Sequence, residues 1–154
     1  MLDLVIRGGD VVSPLGIGPW DVAIKGEKIV AVTLPGAITQ EAARIFDATG
    51  KIVVPGGSAP HVHLDDPIIT QPDLDLWTVG TEEDTKGMAF GGVTTHLDFC
   101  FVFPGTTVAE AIETRNQRWA GKSYVDYSFH VALGGALSID TFDQIPEAVQ
   151  SGYP

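Results

Sequence analysis

The second part of the chain alternates between strand-like and helix-like segments, and this alternation limits the possible folds most. Apolar, β-branched runs at 93–99 and 124–133 predict strands, and helical patterns occur at 73–89, 107–120 and 141–150. Parallel strands need long crossover connections, usually helices, so the alternation predicts a parallel sheet. A doubly wound sheet and a (β/α)8 barrel both fit. The absence of a GxGxxG motif and of a P-loop removes the main support for a nucleotide-binding fold.

Polar and glycine residues mark where these helices begin and end. Asp73 is the predicted N-cap of the first helix, and Gly91 follows its last turn. Gly121 and Gly152 occupy the corresponding positions after the second and third helices. We therefore expect three helices from these patterns.

Residues 1–54 have a different rhythm, with short β-branched runs separated by glycine and proline. The runs are 4–6, 11–12, 21–24, 28–32 and 52–54. The segment Lys25–Lys28 predicts a hairpin turn between two of them. We interpret this region as a small, mostly antiparallel sheet with a structural role.

Composition excludes several classes of function. The 154 residues carry a net charge of −11 with only nine scattered basic residues, which argues against nucleic-acid binding and against docking on anionic membranes. The first residues lack a secretory signal pattern, and no apolar run approaches the length that spans a bilayer. We therefore expect a cytoplasmic protein.

A pair of histidines gives the clearest chemical signal. His61 and His63 follow the predicted 52–54 strand, and side chains two residues apart on an extended segment point to the same side. Two neutral imidazoles can then bind one ion, and zinc suits such ligands. Two ligands alone do not hold a catalytic ion, so further ligands would have to come from elsewhere. The alternative is a solvated or packed histidine pair without a metal.

Acidic residues are dense after the histidines. Asp65 and Asp66 lie nearest to them and are the candidates for further ligands or general bases. The acids between 73 and 84 are expected to solvate a helix start and favour its dipole.

The remaining reactive side chains are expected to be structural. His96 and Asp98 share one side of the 93–99 strand, and His130 lies between apolar residues as a hydrogen-bonded core histidine. The single cysteine, Cys100, lies in an apolar run, which predicts a buried, inert thiol.

A series of longer motifs runs through nearly the whole chain. Their order is DLVIRGGDVV, DVAIKGEKIVAV, EAARIFDATGKIVVPGGSAPHVHLDD, AFGGVTTHLDF, PGTTVAEAI, GKSYVDYSFHVAL and AVQSGYP. Together they resemble the amino-terminal portion of the cyclic amidohydrolases, in the dihydropyrimidinase/hydantoinase branch. The resemblance implies a β-sandwich segment at 1–54 and, at 55–154, about three βα units of a (β/α)8 barrel.

The resemblance also implies two divalent metal ions, usually zinc. His61 and His63 match the family's first two metal ligands. A bridging carbamylated lysine and the remaining ligands are expected beyond Pro154, so no catalytic residue is assigned within the chain. The family hydrolyses small cyclic amides by opening hydantoin or dihydropyrimidine rings, and usually assembles as homotetramers or dimers. We therefore expect these 154 residues alone to be inactive.

The sequence departs from the family pattern in three places. Ala59 stands where the family has an aspartate that supports the metal site, and Asp66 stands where it often has an apolar residue. Ile68, Ile69 and Thr70 stand where the family has Phe-Gly-Gly. The resemblance assigns Leu64, Asp66 and Ile68 to a loop that shapes the substrate pocket.

Two alternatives stay open. Dihydropyrimidinase-like scaffold proteins keep the fold without the metal ligands, and Ala59 and Asp66 would fit such a protein. The chain could also be a self-contained α/β binding module with incidental histidines.

Overall fold

The computed structural model describes residues 1–68, 70 and 73–153, arranged in two compact units. The first unit comprises Met1–Pro55 and the second Gly56–Pro154. None of the helices in the described residues is long and apolar enough to cross a membrane.

The first unit consists of seven strands in two sheets. These are β1 (Leu2–Arg7), β2 (Asp10–Ser13), β3 (Gly16–Pro19), β4 (Asp21–Lys25), β5 (Lys28–Thr33), β6 (Ala42–Asp47) and β7 (Ile52–Val53). One sheet has the order β5-β4-β1-β6 and the other the order β3-β2-β7. The sequence pattern predicted a single sheet, which was wrong. β3 and β6 were not predicted as strands, because neither contains a continuous β-branched run. β6 and β7 pair in parallel with β1 and β2, while the other pairs are antiparallel.

The predicted hairpin between β4 and β5 is confirmed. The two strands pair antiparallel up to Lys25 opposite Lys28. The two turn residues, Gly26 and Glu27, have φ angles of 56° and 64°. Two successive positive φ angles define a type I′ turn, whose twist matches that of the two flanking strands.

The second unit is a parallel sheet covered by helices. Its elements are β8 (Gly57–Ala59), α1 (Thr81–Phe90), β9 (Val93–Val102), α2 (Val108–Trp119), β10 (Asp126–Leu133), α3 (Ile139–Phe142) and α4 (Ile145–Gln150). The sheet has the order β10-β9-β8, and both pairs are parallel. This arrangement confirms the predicted parallel sheet with helical crossovers.

The strand that precedes the histidine pair is β8, not the predicted 52–54 strand. The earlier strand, β7, pairs with β2 of the first unit. Gly56 begins the second unit and lies so close to Thr94 that a Cβ atom on it would come within 2.0 Å of the Thr94 hydroxyl. Glycine therefore permits the close approach of β8 to β9.

Two predicted helices have different bounds in the structure. α1 begins at Thr81 rather than at Asp73, and its N-cap, Gly80, provides no side-chain cap. The preceding segment is extended enough for Pro67 to form an isolated antiparallel bridge with Trp77. The predicted third helix is divided into α3 and α4, and Pro146 lies in the first turn of α4, where proline is tolerated.

One face of β9 lies in the core of the second unit, and the other face points away from this core. Its alternate residues His96, Asp98, Cys100 and Val102 are at most 1% exposed. The core residues are Leu64, Cys100, Val102, Val108, Ala111, Ile112, Trp119, Phe129 and Ala148. The alternation places His96 and Asp98 on the helix-covered face, which leaves Phe99 and Phe101 on the other.

Thr107 is expected to contribute measurably to stability as the N-cap of α2. Its hydroxyl accepts the Glu110 N–H, and its own N–H donates to the Glu110 carboxylate at 2.9 Å. Thr107→Ala should lower the free energy of unfolding by about 1 kcal/mol, because one helix donor loses its partner. Urea unfolding would measure the loss. Thr107→Ser keeps the acceptor and is the control; equal stability of the two variants would contradict the assignment.

Candidate metal centre

His61 and His63 converge at the carboxyl end of β8. Their Nε2 atoms lie 3.2 Å apart, and both side chains are exposed. The Val62 N–H between them donates to the Leu97 carbonyl of β9, which fixes the extended segment against the sheet. The alternation expected from the sequence therefore brings both imidazoles to one point.

The spacing of the two Nε2 atoms fits a shared ion. Zinc lies about 2.0–2.1 Å from an imidazole nitrogen in a tetrahedral site, so two such ligands are roughly 3.3 Å apart. The 3.2 Å separation between His61 and His63 is close to this edge length. Two imidazole nitrogen donors at that separation suit zinc or a similar divalent transition metal.

Aromatic rings support the two imidazoles on the face opposite the core. His63 stacks on Phe99 with centroids 4.7 Å apart, and His61 meets the same ring edge-on at 4.7 Å. Phe101 continues the row and is 6.4 Å from His63. His130 lies beside Phe99 and its Nε2 is 2.9 Å from the Pro60 carbonyl. Thus His130 is hydrogen-bonded as predicted, but it adjoins the histidine loop and is only half-buried.

Arg115 of α2 holds the loop from the opposite side. Its Nη2 donates to the Asp98 carboxylate at 3.0 Å and to the Leu64 carbonyl, and its Nη1 donates to the Asp66 carboxylate at 2.9 Å. Nη1 also donates to the Asp65 carbonyl at 3.1 Å. Arg115 is 6% exposed, so its guanidinium neutralises two carboxylates and binds two carbonyls away from water.

Asp98 completes this network and has a structural role. Its side chain is fully buried, and one carboxylate oxygen accepts the Leu64 N–H at 2.8 Å. The other oxygen accepts the Phe99 N–H and binds Arg115. Asp98 therefore joins the strand β9 to the loop that carries the histidines.

Asp66 lies between Arg115 and His63. One oxygen binds Arg115, while the second is 3.5 Å from His63 Nδ1. Burial raises the pKa of the Asp66 carboxyl, and the Arg115 charge opposes that rise. The carboxylate faces the side of the His63 ring that points away from His61.

His63, Asp66 and Asp98 also form a compact group of possible metal ligands. One donor atom from each lies within 4.8 Å of the others. Arg115, however, already binds both carboxylates at 2.9 and 3.0 Å. A metal ion placed among them would meet the guanidinium charge, so we interpret the carboxylates as partners of Arg115.

A mostly apolar cavity of about 570 Å³ adjoins His63. Its described lining residues are His63, Asp66, Pro67, Ile68, Thr70, Thr78, Phe101 and Phe103. Asp66 and Ile68 of the predicted pocket loop lie on this lining. Leu64 does not, because its side chain is 6% exposed and packs in the core. Ile69 lies outside the described residues.

Known proteins are similar in sequence to this chain along most of its length. D-hydantoinase of Geobacillus stearothermophilus is 32% identical over 149 residues, which cover 95% of this chain and 30% of that protein. Dihydropyrimidinase of Rattus norvegicus is 38% identical over 135 residues, covering 84% of this chain and 25% of that protein. The chain matches the amino-terminal portion of the hydantoinase and dihydropyrimidinase family.

A solved structure of a family member agrees with this match. D-hydantoinase from Bacillus sp. AR9 superposes with a TM-score of 0.83 at 33% identity, over 97% of this chain and 31% of that one. The chain thus spans about 30% of the length of the first curated hydantoinase relative. No family model matches it.

The other sequence-predicted residues of this hydantoinase-like chain fall outside the histidine pair. Asp65 has a φ of 51° and is held through its backbone carbonyl; its carboxylate makes no hydrogen bond or ion pair within the described residues. His96 is buried against Trp119, with ring centroids 5.1 Å apart. Cys100 is 1% exposed, and burial raises the pKa of its thiol to about 11, as expected for an inert cysteine.

Two features of the site were not predicted from the sequence. The first is Arg115, which lies 51 residues after Leu64 and has no local partner pattern. The second is the aromatic row of Phe99, Phe101 and Phe103, whose two-residue spacing does indicate a common face of a strand.

Proposed function

We propose that the chain is part of a metal-dependent cyclic amidohydrolase and that His61 and His63 supply two ligands of its metal centre. The observation that carries this proposal is the 3.2 Å separation of their Nε2 atoms, which suits a shared divalent ion. The hydantoinase and dihydropyrimidinase relatives support the reaction class, since their names denote enzymes acting on cyclic amides.

The parallel strand order supports a place for this unit in a larger barrel. β8, β9 and β10 neighbour one another in chain order, as successive strands of a (β/α)8 barrel do. The histidines follow the carboxyl end of β8, where barrels carry their active sites. We propose that 56–154 forms the first βα units of such a barrel and that the whole protein carries the activity.

The side chains have distinct tasks in this proposal. The two imidazoles hold the ion, and a bound zinc ion supplies Lewis-acid polarisation of an amide carbonyl and activation of water. Phe99 and Phe101 exclude water from one side of the imidazoles. The apolar cavity beside His63 offers room for a small cyclic amide.

Zinc titration of the full chain tests the metal assignment. Competition with a chromophoric chelator should give saturable binding, and His61→Ala or His63→Ala should each raise the Kd at least tenfold. His130→Gln is the matched histidine control and should leave the Kd within about twofold, because it removes an imidazole outside the proposed ligand pair and keeps a donor for the Pro60 carbonyl. Unchanged zinc affinity in the His61 and His63 variants would overturn the assignment of these ligands. A wild-type chain without saturable zinc binding would favour a metal-free scaffold.

Hydrolysis assays address the activity separately. We expect no ring opening of hydantoin or dihydrouracil by the 154-residue chain, since two imidazoles alone leave a catalytic ion short of ligands. Zinc-dependent turnover by this chain alone would contradict that expectation.

A further inference from the structure

The backbone of Asp66 is held by two hydrogen bonds to Thr78. Its N–H donates to the Thr78 hydroxyl at 2.9 Å, and its carbonyl accepts the Thr78 N–H at 2.8 Å. The neighbouring Asp65 and Leu64 carbonyls both accept from Arg115. The Asp66 side chain therefore starts from a backbone with little freedom to move.

Arg115 then fixes one half of the Asp66 carboxylate. Nη1 of Arg115 donates to Oδ1 at 2.9 Å, and the same guanidinium is anchored on Asp98, which is fully buried. The anchored guanidinium therefore fixes the position of Oδ1 of Asp66 relative to α2 and β9.

The other carboxylate oxygen is left facing His63. Oδ2 of Asp66 is buried and has no hydrogen-bond partner among the described residues. It lies 3.5 Å from His63 Nδ1, within a few tenths of an ångström of hydrogen-bond length. On the far side of the same ring, His63 Nε2 faces His61.

We propose that Asp66, held by Arg115, is a positioning residue that orients His63 and keeps its proton on Nδ1. A proton on Nδ1 leaves the Nε2 lone pair free to bind an ion, and a carboxylate partner makes the imidazole a stronger ligand. This inference rests on the proposed metal-binding role of His63. It gives Asp66 a role distinct from that of a metal ligand or a general base.

The tautomer of His63 provides a test that needs no metal. Long-range proton–nitrogen NMR of the metal-free chain, recorded at pH 8.5, distinguishes the two neutral tautomers. We expect the Nδ1–H form to dominate in the wild-type chain and to lose population in Asp66→Asn. A wild-type His63 protonated mainly on Nε2 would overturn the proposal, whatever the variants do.

Zinc affinity is the second measurement. Asp66→Asn should raise the zinc Kd about tenfold, because loss of such a histidine partner typically weakens binding to this extent. Asp65→Asn removes the same charge from the adjacent residue and keeps a residue type that tolerates a φ of 51°, so it should stay within about twofold. Both Kd values are measured well below the unfolding temperature of each variant.

The outcomes separate this inference from the proposed function. If His63→Ala loses zinc and Asp66→Asn does not, the positioning role is wrong and the metal site stands. If Asp65→Asn and Asp66→Asn weaken zinc equally, the effect is one of net charge, and the positioning role is also wrong. If His63→Ala binds zinc as tightly as the wild type, the proposed metal site itself fails.

Discussion

Arg115→Met should lower the free energy of unfolding by about 3–5 kcal/mol, a large part of the stability of a small domain. The variant keeps the bulk of the side chain but leaves the buried Asp98 carboxylate without its guanidinium partner. Asp66 and the carbonyls of Leu64 and Asp65 lose the same donor group. Breaking a buried ion pair from one side is costly because the remaining charge stays desolvated.

Urea unfolding at pH 7.5 would measure this loss in the second unit. A Trp20→Phe background leaves Trp77 and Trp119, which both lie in that unit, as the fluorescent reporters. Arg118→Met is the matched control: Arg118 is exposed and only lies over the Trp77 ring, at 5.1 Å. We expect it to cost under about 1 kcal/mol. A similar small cost for Arg115→Met would show that the network does not hold the loop.

A double variant tests whether Arg115 and Asp66 act on each other. In Arg115→Met with Asp66→Leu, one of the two stranded carboxylates is also removed. The combined loss should be smaller than the sum of the single losses by at least about 0.5 kcal/mol, since residues in direct contact are not additive. Additive losses would indicate that the 2.9 Å contact contributes no coupling.

The parallel sheet of the second unit was predictable because its two long strands are rich in β-branched and aromatic residues. β9 and β10 are ten and eight residues long, and each is followed by helical periodicity. β8 has only three residues, Gly-Ser-Ala, with no β-branched side chain, so nothing local marks it as a strand. It pairs with β9 directly after Gly56, where any Cβ atom would overlap the Thr94 side chain.

The start of α1 shows the same limit. Asp73 has the side chain of a good N-cap, whereas the actual N-cap, Gly80, makes no side-chain bond. The acids Glu82, Glu83 and Asp84 do occupy the first turn, where they favour the helix dipole. The acidic composition of the helix start was therefore predicted correctly, but its position was not. Trp77 forms an antiparallel bridge with Pro67, and α1 begins after it at Thr81.

Half of the candidate site could be predicted from local spacing. His61 and His63 share a side because they alternate on an extended segment, and the structure brings their Nε2 atoms together. The role of Asp66 could not be predicted, because it depends on Arg115, which lies on a helix 49 residues later in the chain (115 − 66 = 49). In the sequence Asp66 is one of many acids, and only the tertiary contact distinguishes it from them.

His96 should make the second unit less stable as the pH falls below about 6.5. The ring is fully buried, and neither nitrogen has a hydrogen-bond partner among the described residues. Burial lowers the pKa of His96 from its ordinary value of 6.5, while the charges of Asp98 and Asp84 oppose this. Two other titratable side chains face His96 from neighbouring elements. Tyr127 of β10 contacts the ring directly, and Arg115 of α2 lies over Trp119, which stacks on the ring.

The sign of the effect follows from proton binding. Below the unfolded-state pKa the unfolded chain protonates His96, while the native ring stays neutral until the pH reaches its lower folded-state pKa. The unfolded state therefore binds more protons in that interval, and stability falls by at most about 1.4 kcal/mol for each pH unit. At higher pH both states are neutral, and this contribution vanishes.

Two replacements separate the charge of His96 from its polarity. His96→Leu removes both. We expect it to raise the free energy of unfolding by about 1–3 kcal/mol at pH 7.5, because an apolar group then packs against Trp119. The free energy of unfolding should also fall less between pH 7.5 and 5 than in the wild type. His96→Gln removes only the titration, so the pH dependence should flatten without that gain. Urea unfolding at both pH values measures each effect. If the wild-type and leucine chains lose equal stability on acidification, the acid sensitivity belongs to other groups, and the pKa of His96 is the same in the native and unfolded states.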